Sequence, residues 1–252
     1  MFIDNPLVSN VVFYPRKIPE IEILKFQINP DIKIGGFLFL KSKNLPTILL
    51  FHGNGEIALE YINFANFYFE MGANLAVIDY RGYGFSSGEP YYTCLISDAM
   101  PIFESFLEWA DNYGLNSSIF IKGRSLGSVC ASEIGAHNPE RVNGIIFESG
   151  FGSIYNIMTK LFGVSSSKIT PESVKEFSND IRMQKILKPI LIIHGTADNI
   201  IPHEEANLIY NAIQENVEKK IVLIEGAGHN NISSYKRDLY FKTIQEFIES
   251  YK

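Results

Sequence analysis

Three side chains in the sequence could together activate a nucleophile. Ser125 is the central residue of Gly-Arg-Ser-Leu-Gly at 123–127, Asp198 ends the segment His-Gly-Thr-Ala-Asp, and His229 lies in Gly-Ala-Gly-His-Asn. A serine hydroxyl is a weak nucleophile, so it needs a neighbouring base, and the base needs an acid that orients it. Serine, histidine and aspartate supply this combination. Because the three residues are far apart in the chain, only the fold could bring them together.

The segment 123–127 stands between an apolar run at 118–121 and a stretch with helical spacing. A tight turn from a strand into a helix strains its central residue and projects that side chain above the sheet. Gly123 and Gly127 lack Cβ atoms and would relieve the crowding at such a turn. We therefore predict that Ser125 is a nucleophile. The alternative is a plain glycine turn in which Ser125 only caps the helix.

The predicted acid and base have competitors in the sequence. Glu148 also ends an apolar run and is an alternative to Asp198 as the orienting acid, whereas Asp79 is expected to bond backbone amides of its own loop. The other histidines are expected to order their own turns, to face solvent or to begin a helix: His52, His194, His137 and His203. Asp198 and His229 directly follow strand-like runs, which is where a doubly wound sheet places its ligands. We therefore predict that these two residues serve Ser125.

A second turn could stabilise the charge that develops when a nucleophile attacks a carbonyl group. His-Gly-Asn-Gly at 52–55 follows the apolar run 47–51 and precedes a helical stretch, so its amides can point over the nucleophile. Preorganised backbone N–H groups of this kind form an oxyanion hole. We predict that the N–H of Leu126 is one donor and that of Asn54 the second, with Gly55 as the substitute for Asn54. The alternative is a glycine turn that only joins a strand to a helix.

Short apolar runs alternate with helical stretches along the chain. The runs are rich in Ile and Val, as is typical of strands buried on both faces of a parallel sheet: 47–51, 76–78, 118–121, 144–147, 190–193 and 221–224. The stretches with helical spacing are 57–71, 95–113, 126–136, 203–213 and 232–251. Segments 21–27 and 33–40 alternate apolar and polar residues and predict a hairpin, hence an antiparallel edge strand. Residues 1–252 are therefore predicted to form a single α/β domain with helices on both faces of the sheet.

The segment 149–188 is longer than one connecting helix requires. It contains apolar residues at roughly helical spacing, and Thr170 before Pro171 is typical of a helix start. We predict a small helical cap over the carboxyl edge of the sheet. Five apolar side chains of this segment are predicted to line an acyl pocket above the nucleophile: Ile154, Tyr155, Met158, Leu161 and Phe162. Met158 and Phe162, four residues apart on one helical face, are the best candidates to contact the substrate. The alternative is that these side chains pack on the sheet edge as core.

Composition and charge exclude several classes of partner. The 252 residues carry 22 Lys and Arg against 28 Asp and Glu, a formal net charge of −6, which disfavours binding to nucleic acid. The apolar runs are shorter than a transmembrane helix, and no signal peptide is evident, so we expect a cytoplasmic protein. Cys94 and Cys130 lack metal-ligand spacing and are expected to be buried thiols, with a single bridge between them as the alternative. We expect a small-molecule or acyl-group substrate, and neither a metal nor a cofactor.

The quoted segments together resemble the alpha/beta-hydrolase superfamily. They are similar to its compact serine hydrolase branch, which has a His-Gly-Asn-Gly oxyanion turn, an Asp-Tyr-Arg-Gly-Tyr-Gly loop (here 79–84) and a Gly-Arg-Ser-Leu-Gly elbow. The resemblance covers roughly residues 30 to 250. It implies an eight-stranded, mostly parallel sheet and the hydrolysis of esters, thioesters or amides through an acyl-enzyme. Acyl-protein thioesterases and many esterases belong to this branch.

The resemblance thus implies a catalytic triad of Ser125, His229 and Asp198 in a cofactor-independent esterase or thioesterase. The sequence lacks the His-Gly-Gly-Gly loop of many lipases, and serine at the elbow argues against dehalogenases and dienelactone hydrolases. A peptidase or amidase of the same fold and a non-catalytic ligand-binding member are the alternatives. Arg81 and Arg124 are candidates to meet an anionic group of the substrate, although Arg81 could instead form an ion pair with Asp79.

Overall fold

The computed structural model describes residues 1–20, 24–115, 118–164 and 166–252, and within them eight strands form one sheet. Its spatial order is β1-β2-β4-β3-β5-β6-β7-β8. The strands are β1 (Leu24–Asn29), β2 (Ile32–Phe39), β3 (Thr47–Phe51), β4 (Asn74–Ile78), β5 (Ile119–Arg124), β6 (Val142–Glu148), β7 (Ile190–Gly195) and β8 (Lys219–Ile224). All six predicted apolar runs lie in strands or overlap them.

The sheet is parallel except at one edge. β2 pairs antiparallel with both β1 and β4, whereas β4, β3, β5, β6, β7 and β8 are parallel neighbours. The antiparallel edge hairpin predicted from the alternation at 21–27 and 33–40 is therefore present from Leu24 onward, and residues 21–23 of that prediction lie outside the described part of the chain. This architecture confirms the mostly parallel eight-stranded sheet.

Helices cover both faces of the sheet. The α-helices are α1 (Pro6–Val12), α2 (Ala65–Glu70), α3 (Tyr92–Ser97), α4 (Ala99–Tyr113), α5 (Ser128–Ala136), α6 (Ile154–Asn156), α7 (Pro171–Val174), α8 (Asn179–Met183), α9 (Glu204–Ala212), α10 (Ile232–Tyr235) and α11 (Arg237–Tyr251). Shorter 3-10 turns occupy Phe2–Asp4, Ala58–Asn63, Ser125–Gly127 and Lys175–Phe177. Helix α1 is absent from the sequence-based prediction. Its start is stabilised by the Asn5 side chain, which accepts a hydrogen bond from the Leu7 amide.

Two hydrophobic cores lie on opposite faces of the sheet, because successive strand residues point in opposite directions. In β3, Leu49 and Phe51 belong to the core beneath α4 and α5, whereas Ile48 and Leu50 belong to the core beneath α11. Because both faces of the sheet are buried, apolar residues are required on both sides of each central strand. The uninterrupted apolar runs of the sequence follow from this arrangement.

The segment between β6 and β7 consists of short helical pieces rather than one crossover helix. It contains α6, a π-helical turn at Ile157–Leu161, α7 and α8. The Thr170 side chain accepts a hydrogen bond from the Ser173 amide, and Pro171 is the first helical residue of α7. The Thr-Pro pair thus starts a helix as predicted. No helix in the described residues is long and apolar enough to cross a membrane.

Candidate active site

Ser125 lies at the point where β5 turns into a helix, in a strained backbone conformation. Its φ is +52°, a region that residues other than glycine seldom adopt. The two glycines of the segment are needed for close packing: a Cβ at Gly127 would lie 2.0 Å from the carbonyl oxygen of Phe51, and a Cβ at Gly123 would lie 2.5 Å from that of Gly127. The elbow predicted at 123–127 is therefore held by backbone packing, and Ser125 stays 7% exposed.

The structure brings Ser125, His229 and Asp198 together in one hydrogen-bonded chain. Nε2 of His229 lies 3.0 Å from Oγ of Ser125, and Nδ1 of the same ring lies 2.7 Å from Oδ2 of Asp198. His229 follows β8 and Asp198 follows β7, so the two loops meet at the carboxyl edge of the sheet beside the end of β5. This arrangement can transfer the serine proton to the imidazole during attack on an electrophilic carbon.

Asp198 is surrounded by hydrogen-bond donors. Its Oδ1 accepts hydrogen bonds from the amides of Ile200 and Ile201 at 2.9 and 2.8 Å, and its Oδ2 lies 3.3 Å from Nε2 of the buried His194. Burial of the carboxyl group opposes its ionisation. The hydrogen bonds from His194 and His229 outweigh that effect and lower the pKa of Asp198 below its ordinary value. Asp198 is therefore an anion that can orient the imidazole.

Glu148, the alternative acid, is committed to other partners. Its carboxylate lies 2.6 Å from Nζ of Lys122 and 3.3 Å from Nε of Arg124, and it accepts a hydrogen bond from the Tyr240 hydroxyl at 2.5 Å. Burial opposes its ionisation, yet the cations of Lys122 and Arg124 lower the pKa of Glu148 to about 2. These contacts favour Asp198 over Glu148 as the partner of the histidine.

The two residues predicted to donate oxyanion hydrogen bonds line the same cavity as Ser125. Leu126 lies in the first helical turn, Ser125–Gly127, where backbone amides lack an acceptor within the helix. The Asn54 side chain is held by the N-terminal segment: its Nδ2 donates to the carbonyl of Val12 at 2.6 Å, and its Oδ1 accepts from the amide of Tyr14 at 3.0 Å. The oxyanion role of Leu126 and Asn54 stays a prediction.

The cavity beside Ser125 has a volume of about 250 Å³. Its apolar lining comes from the loop after β6, the cap and the loop after β7: Phe151, Ile157, Leu161, Phe162, Ile200 and Ile201. Tyr14 also lines the cavity. No sequence motif ties Tyr14 to the elbow, so its place in the cavity could not be predicted.

The lining of the cavity differs in part from the predicted pocket. Phe162 lines the cavity, but Met158 is fully buried in the core, and Tyr155 is partly buried against that core. The π-helical turn at Ile157–Leu161 is the physical reason for Met158, because the Phe162 amide donates to the carbonyl of Ile157, five residues back, so Ile157 and Phe162 share the face that lines the cavity. Leu161 also lines the cavity, as predicted. The core alternative is right for Ile154, Tyr155 and Met158, and Ile157 takes the place predicted for Met158.

The two arginines considered for an anionic substrate are engaged in ion pairs. Arg81 pairs with Asp98 at 2.5 Å, not with Asp79, which accepts a hydrogen bond from the amide of Ala58. Arg124 pairs with Glu56 and Glu148. His52 is buried 3.2 Å from Asp79 and contacts the carbonyl of Gly53 in its own turn, His137 is exposed and His203 directly precedes α9. Cys94 and Cys130 are buried and form no disulfide.

The sequence of this chain is similar to a known protein family and to several relatives. The family model described as serine aminopeptidase, S33, matches residues 42–178. Protein bem46 of Schizosaccharomyces pombe is 28% identical over 76% of this chain and 65% of its own length. Lysophosphatidylserine lipase ABHD12 of Rattus norvegicus is 27% identical over 68% of this chain and 46% of its own length. The chain thus spans less than two thirds of these relatives.

Solved structures share the same architecture. Est1E from Butyrivibrio proteoclasticus, solved with ferulic acid bound, matches this chain with a TM-score of 0.71. The match covers 90% of this chain and 98% of that one, at 17% sequence identity. At this identity the likeness describes the arrangement of strands and helices alone.

Proposed function

Since the chain belongs to the serine aminopeptidase S33 family and has the alpha/beta-hydrolase fold, we propose that it is a serine hydrolase that cleaves a carboxylic ester or thioester through an acyl-enzyme. Ser125 is the nucleophile in this proposal, His229 the base and Asp198 the orienting acid. The backbone N–H groups of Asn54 and Leu126 form the oxyanion hole.

The proposed reaction has two steps. Oγ of Ser125 attacks the acyl carbon while Nε2 of His229 takes the hydroxyl proton, and the tetrahedral intermediate carries its negative charge on the former carbonyl oxygen. The bond to the alcohol or thiol then breaks, and the imidazolium gives its proton to that leaving group. Water, activated by the same imidazole, attacks the acyl-enzyme and releases the carboxylic acid. Asp198 keeps the imidazole in the correct tautomer throughout.

The observation that carries this proposal is the hydrogen-bonded chain beside a cavity. The distances of 3.0 Å from Ser125 to His229 and 2.7 Å from His229 to Asp198 fall within the range that proton transfer requires. The cavity opens at Ser125 and has mostly apolar walls, which suits an acyl chain. Its volume of about 250 Å³ favours a short or slender acyl group over a bulky one.

An amide substrate is the second candidate, because the matched family model is described as a serine aminopeptidase. An aminopeptidase must bind the positively charged amino terminus of its peptide, and a carboxylate in the pocket is the simplest partner. Among the described residues that line the cavity at Ser125 there is no Asp or Glu, and the charge of Arg124 is already paired with Glu56 and Glu148. This charge distribution favours an ester with an uncharged acyl group. The lipase named for the rat relative is consistent with an ester substrate.

Covalent labelling tests the proposal against a non-catalytic, ligand-binding role. The parent protein and a Ser125→Ala variant would be treated with a fluorophosphonate, and the labelled peptide would be identified by mass spectrometry. We expect one adduct on Ser125 in the parent and none in the variant. Folded parent protein that stays unlabelled at Ser125 would contradict the proposal.

The bond type is tested by turnover. We would compare p-nitrophenyl esters of increasing acyl length with the matching thioesters and with aminoacyl p-nitroanilides. Hydrolysis of the esters or thioesters with a higher kcat/KM than the anilides is expected. The opposite order would favour the aminopeptidase alternative.

A further inference from the structure

Arg124 connects the loops that surround the proposed nucleophile. The guanidinium belongs to the residue immediately before Ser125, and its Nη1 lies 2.9 Å from a carboxylate oxygen of Glu56. Nη2 donates hydrogen bonds to the carbonyl of His229 and to Oδ1 of Asn230, each at 3.2 Å. Nε lies 3.3 Å from Glu148 at the end of β6. A single side chain therefore joins the elbow, the turn after β3 and the loop of the proposed base.

Glu56 continues this connection into the turn that carries the proposed oxyanion donor. Its Oε2 accepts hydrogen bonds from the Gly53 amide at 2.8 Å and from the Tyr61 hydroxyl at 2.7 Å. The turn packs closely on the ion pair, because a Cβ at Gly53 would lie 2.6 Å from Nη1 of Arg124 and 2.8 Å from Oε1 of Glu56. Asn54 follows directly in the chain, so the orientation of its N–H depends on this contact.

The charge on Arg124 persists although the side chain is largely buried. Burial disfavours the guanidinium cation, but the carboxylates of Glu56 and Glu148 raise the pKa of Arg124 above its ordinary value. The partners are divided among the three nitrogens of the guanidinium: Glu56 at Nη1, Glu148 at Nε, and the His229 carbonyl together with Asn230 at Nη2. A planar fork with five donors can make such contacts simultaneously, whereas the single ammonium of a lysine cannot.

We propose that Arg124 is a positioning residue for the hydrolytic reaction, holding the oxyanion turn through Glu56 and the histidine loop through the His229 carbonyl in register with Ser125. The inference rests on the proposed function. Reactive groups that are displaced by about 1 Å can lose roughly 10²-fold in rate. Arg124 acts through Glu56 and the His229 loop and makes no bond to the substrate.

The variants that test this inference remove its contacts one at a time. Arg124→Lys retains the cation but loses the fork, Glu56→Gln keeps an acceptor for the Gly53 amide but loses the charge, and Asn230→Ala removes one contact in the histidine loop. Arg182→Lys is the matched control, because Arg182 is also a buried arginine, paired with Glu133 at 2.6 Å, and belongs to no part of the proposed site.

The readouts separate positioning from a merely structural role. We would measure kcat and KM for p-nitrophenyl butyrate, the inhibition constant of a boronic acid that forms a tetrahedral adduct with the serine, and the melting temperature of each variant. We expect Arg124→Lys to lower kcat about 10- to 100-fold, within the range for displaced or lost oxyanion donors, while KM changes less. Boronate affinity should fall by a similar factor, because the adduct resembles the transition state.

The other two variants, at Glu56 and Asn230, should lower kcat only partly. Glu56→Gln and Asn230→Ala should each lower kcat by less than Arg124→Lys, and Arg182→Lys should leave kcat unchanged at temperatures where it is folded. If Arg124→Lys, Glu56→Gln and Asn230→Ala are folded and keep the parent kcat and boronate affinity, the inference is wrong. If Arg124→Lys does not fold, the other two variants decide by the same criterion. Parent protein that neither hydrolyses the ester nor reacts with a fluorophosphonate would instead refute the proposed function.

Discussion

His194 approaches the same carboxylate oxygen of Asp198 that His229 uses. Its Nε2 lies 3.3 Å from Oδ2 of Asp198 and 2.9 Å from the carbonyl oxygen of Ile201. A carbonyl oxygen only accepts hydrogen bonds, so Nε2 of His194 must carry a proton. The carboxylate is thus held by two imidazoles and two backbone amides, and its orientation toward His229 follows from all four.

Replacing Asp198 by Asn should lower kcat on the order of 10³- to 10⁴-fold, because an amide cannot hold the imidazole in the required tautomer. The side chain keeps its size, so the fold should persist. Steady-state hydrolysis of p-nitrophenyl butyrate measures the loss, with Glu148→Gln as the comparison. A larger loss in Glu148→Gln than in Asp198→Asn would transfer the role of the acid to Glu148.

Replacing Ser125 by Ala should lower turnover by about 10³-fold or more, leaving only the contributions of the oxyanion hole and of substrate binding. The hydroxyl is small, so circular dichroism and the melting temperature should stay close to those of the parent. Ser167→Ala, at an exposed serine of the cap, is the control and should be fully active. Turnover of Ser125→Ala within tenfold of the parent would place the nucleophile elsewhere.

The sequence predicted much of this site because the residues concerned are tied to strand ends. Apolar runs locate the parallel strands, and residues that directly follow such runs share the carboxyl edge of the sheet. Ser125, Asp198 and His229 could be selected in this way without any knowledge of the loops. The elbow glycines add a constraint that is local, since both are required by contacts within a few residues or with the neighbouring strand.

The cap and the ion pairs could not be predicted in the same way. The apolar spacing of 154–162 indicates a helix, but a π-helical turn changes which side chains point at the cavity, and nothing in the spacing reveals it. The partners of Arg81 and Arg124 lie on other elements, so adjacency in sequence to Asp79 was misleading for Arg81. Tyr14 reaches the cavity from the N-terminal segment, whose position depends on contacts with Asn54.

The cap yields a matched pair of variants with opposite effects. Phe162→Ala should open the cavity and shift preference toward longer acyl chains by several-fold, since one methylene in a pocket corresponds to about 1–3 kcal/mol. Met158→Ala should leave the chain-length profile unchanged but lower the free energy of unfolding by about 2–5 kcal/mol, because it leaves a void in the core. Rates across a series of p-nitrophenyl esters and urea denaturation give the two readouts. A changed profile in Met158→Ala alone would restore Met158 to the pocket.

Stability should fall in acid partly because of Glu148. Its pKa is about 2 in the folded protein and ordinarily 4.5, so the unfolded chain binds the proton first as the pH decreases. The contribution of Glu148 is therefore complete above about pH 4.5 and is lost as the pH falls toward 2. Its size should be on the order of a few kcal/mol, since one pKa unit corresponds to about 1.4 kcal/mol.

Urea denaturation between pH 6 and 3 would measure this contribution. Glu148→Gln should show a shallower loss of unfolding free energy with falling pH than the parent, whereas Glu215→Gln, at a side chain that is 98% exposed, should follow the parent. Identical pH dependence in all three proteins would contradict the prediction.

The positive φ of Ser125, the proposed nucleophile, lowers the stability of the folded chain. A left-handed conformation at a residue other than glycine costs on the order of 1–3 kcal/mol, and the +52° at Ser125 belongs to that class. Glycine adopts this conformation without the penalty. A Ser125→Gly protein should accordingly be inactive yet melt at a higher temperature than the parent, a comparison with Ser125→Ala separating the backbone effect from loss of the hydroxyl. Selection for thermal stability alone would thus replace the proposed nucleophile, whereas selection for turnover would retain a serine at this turn.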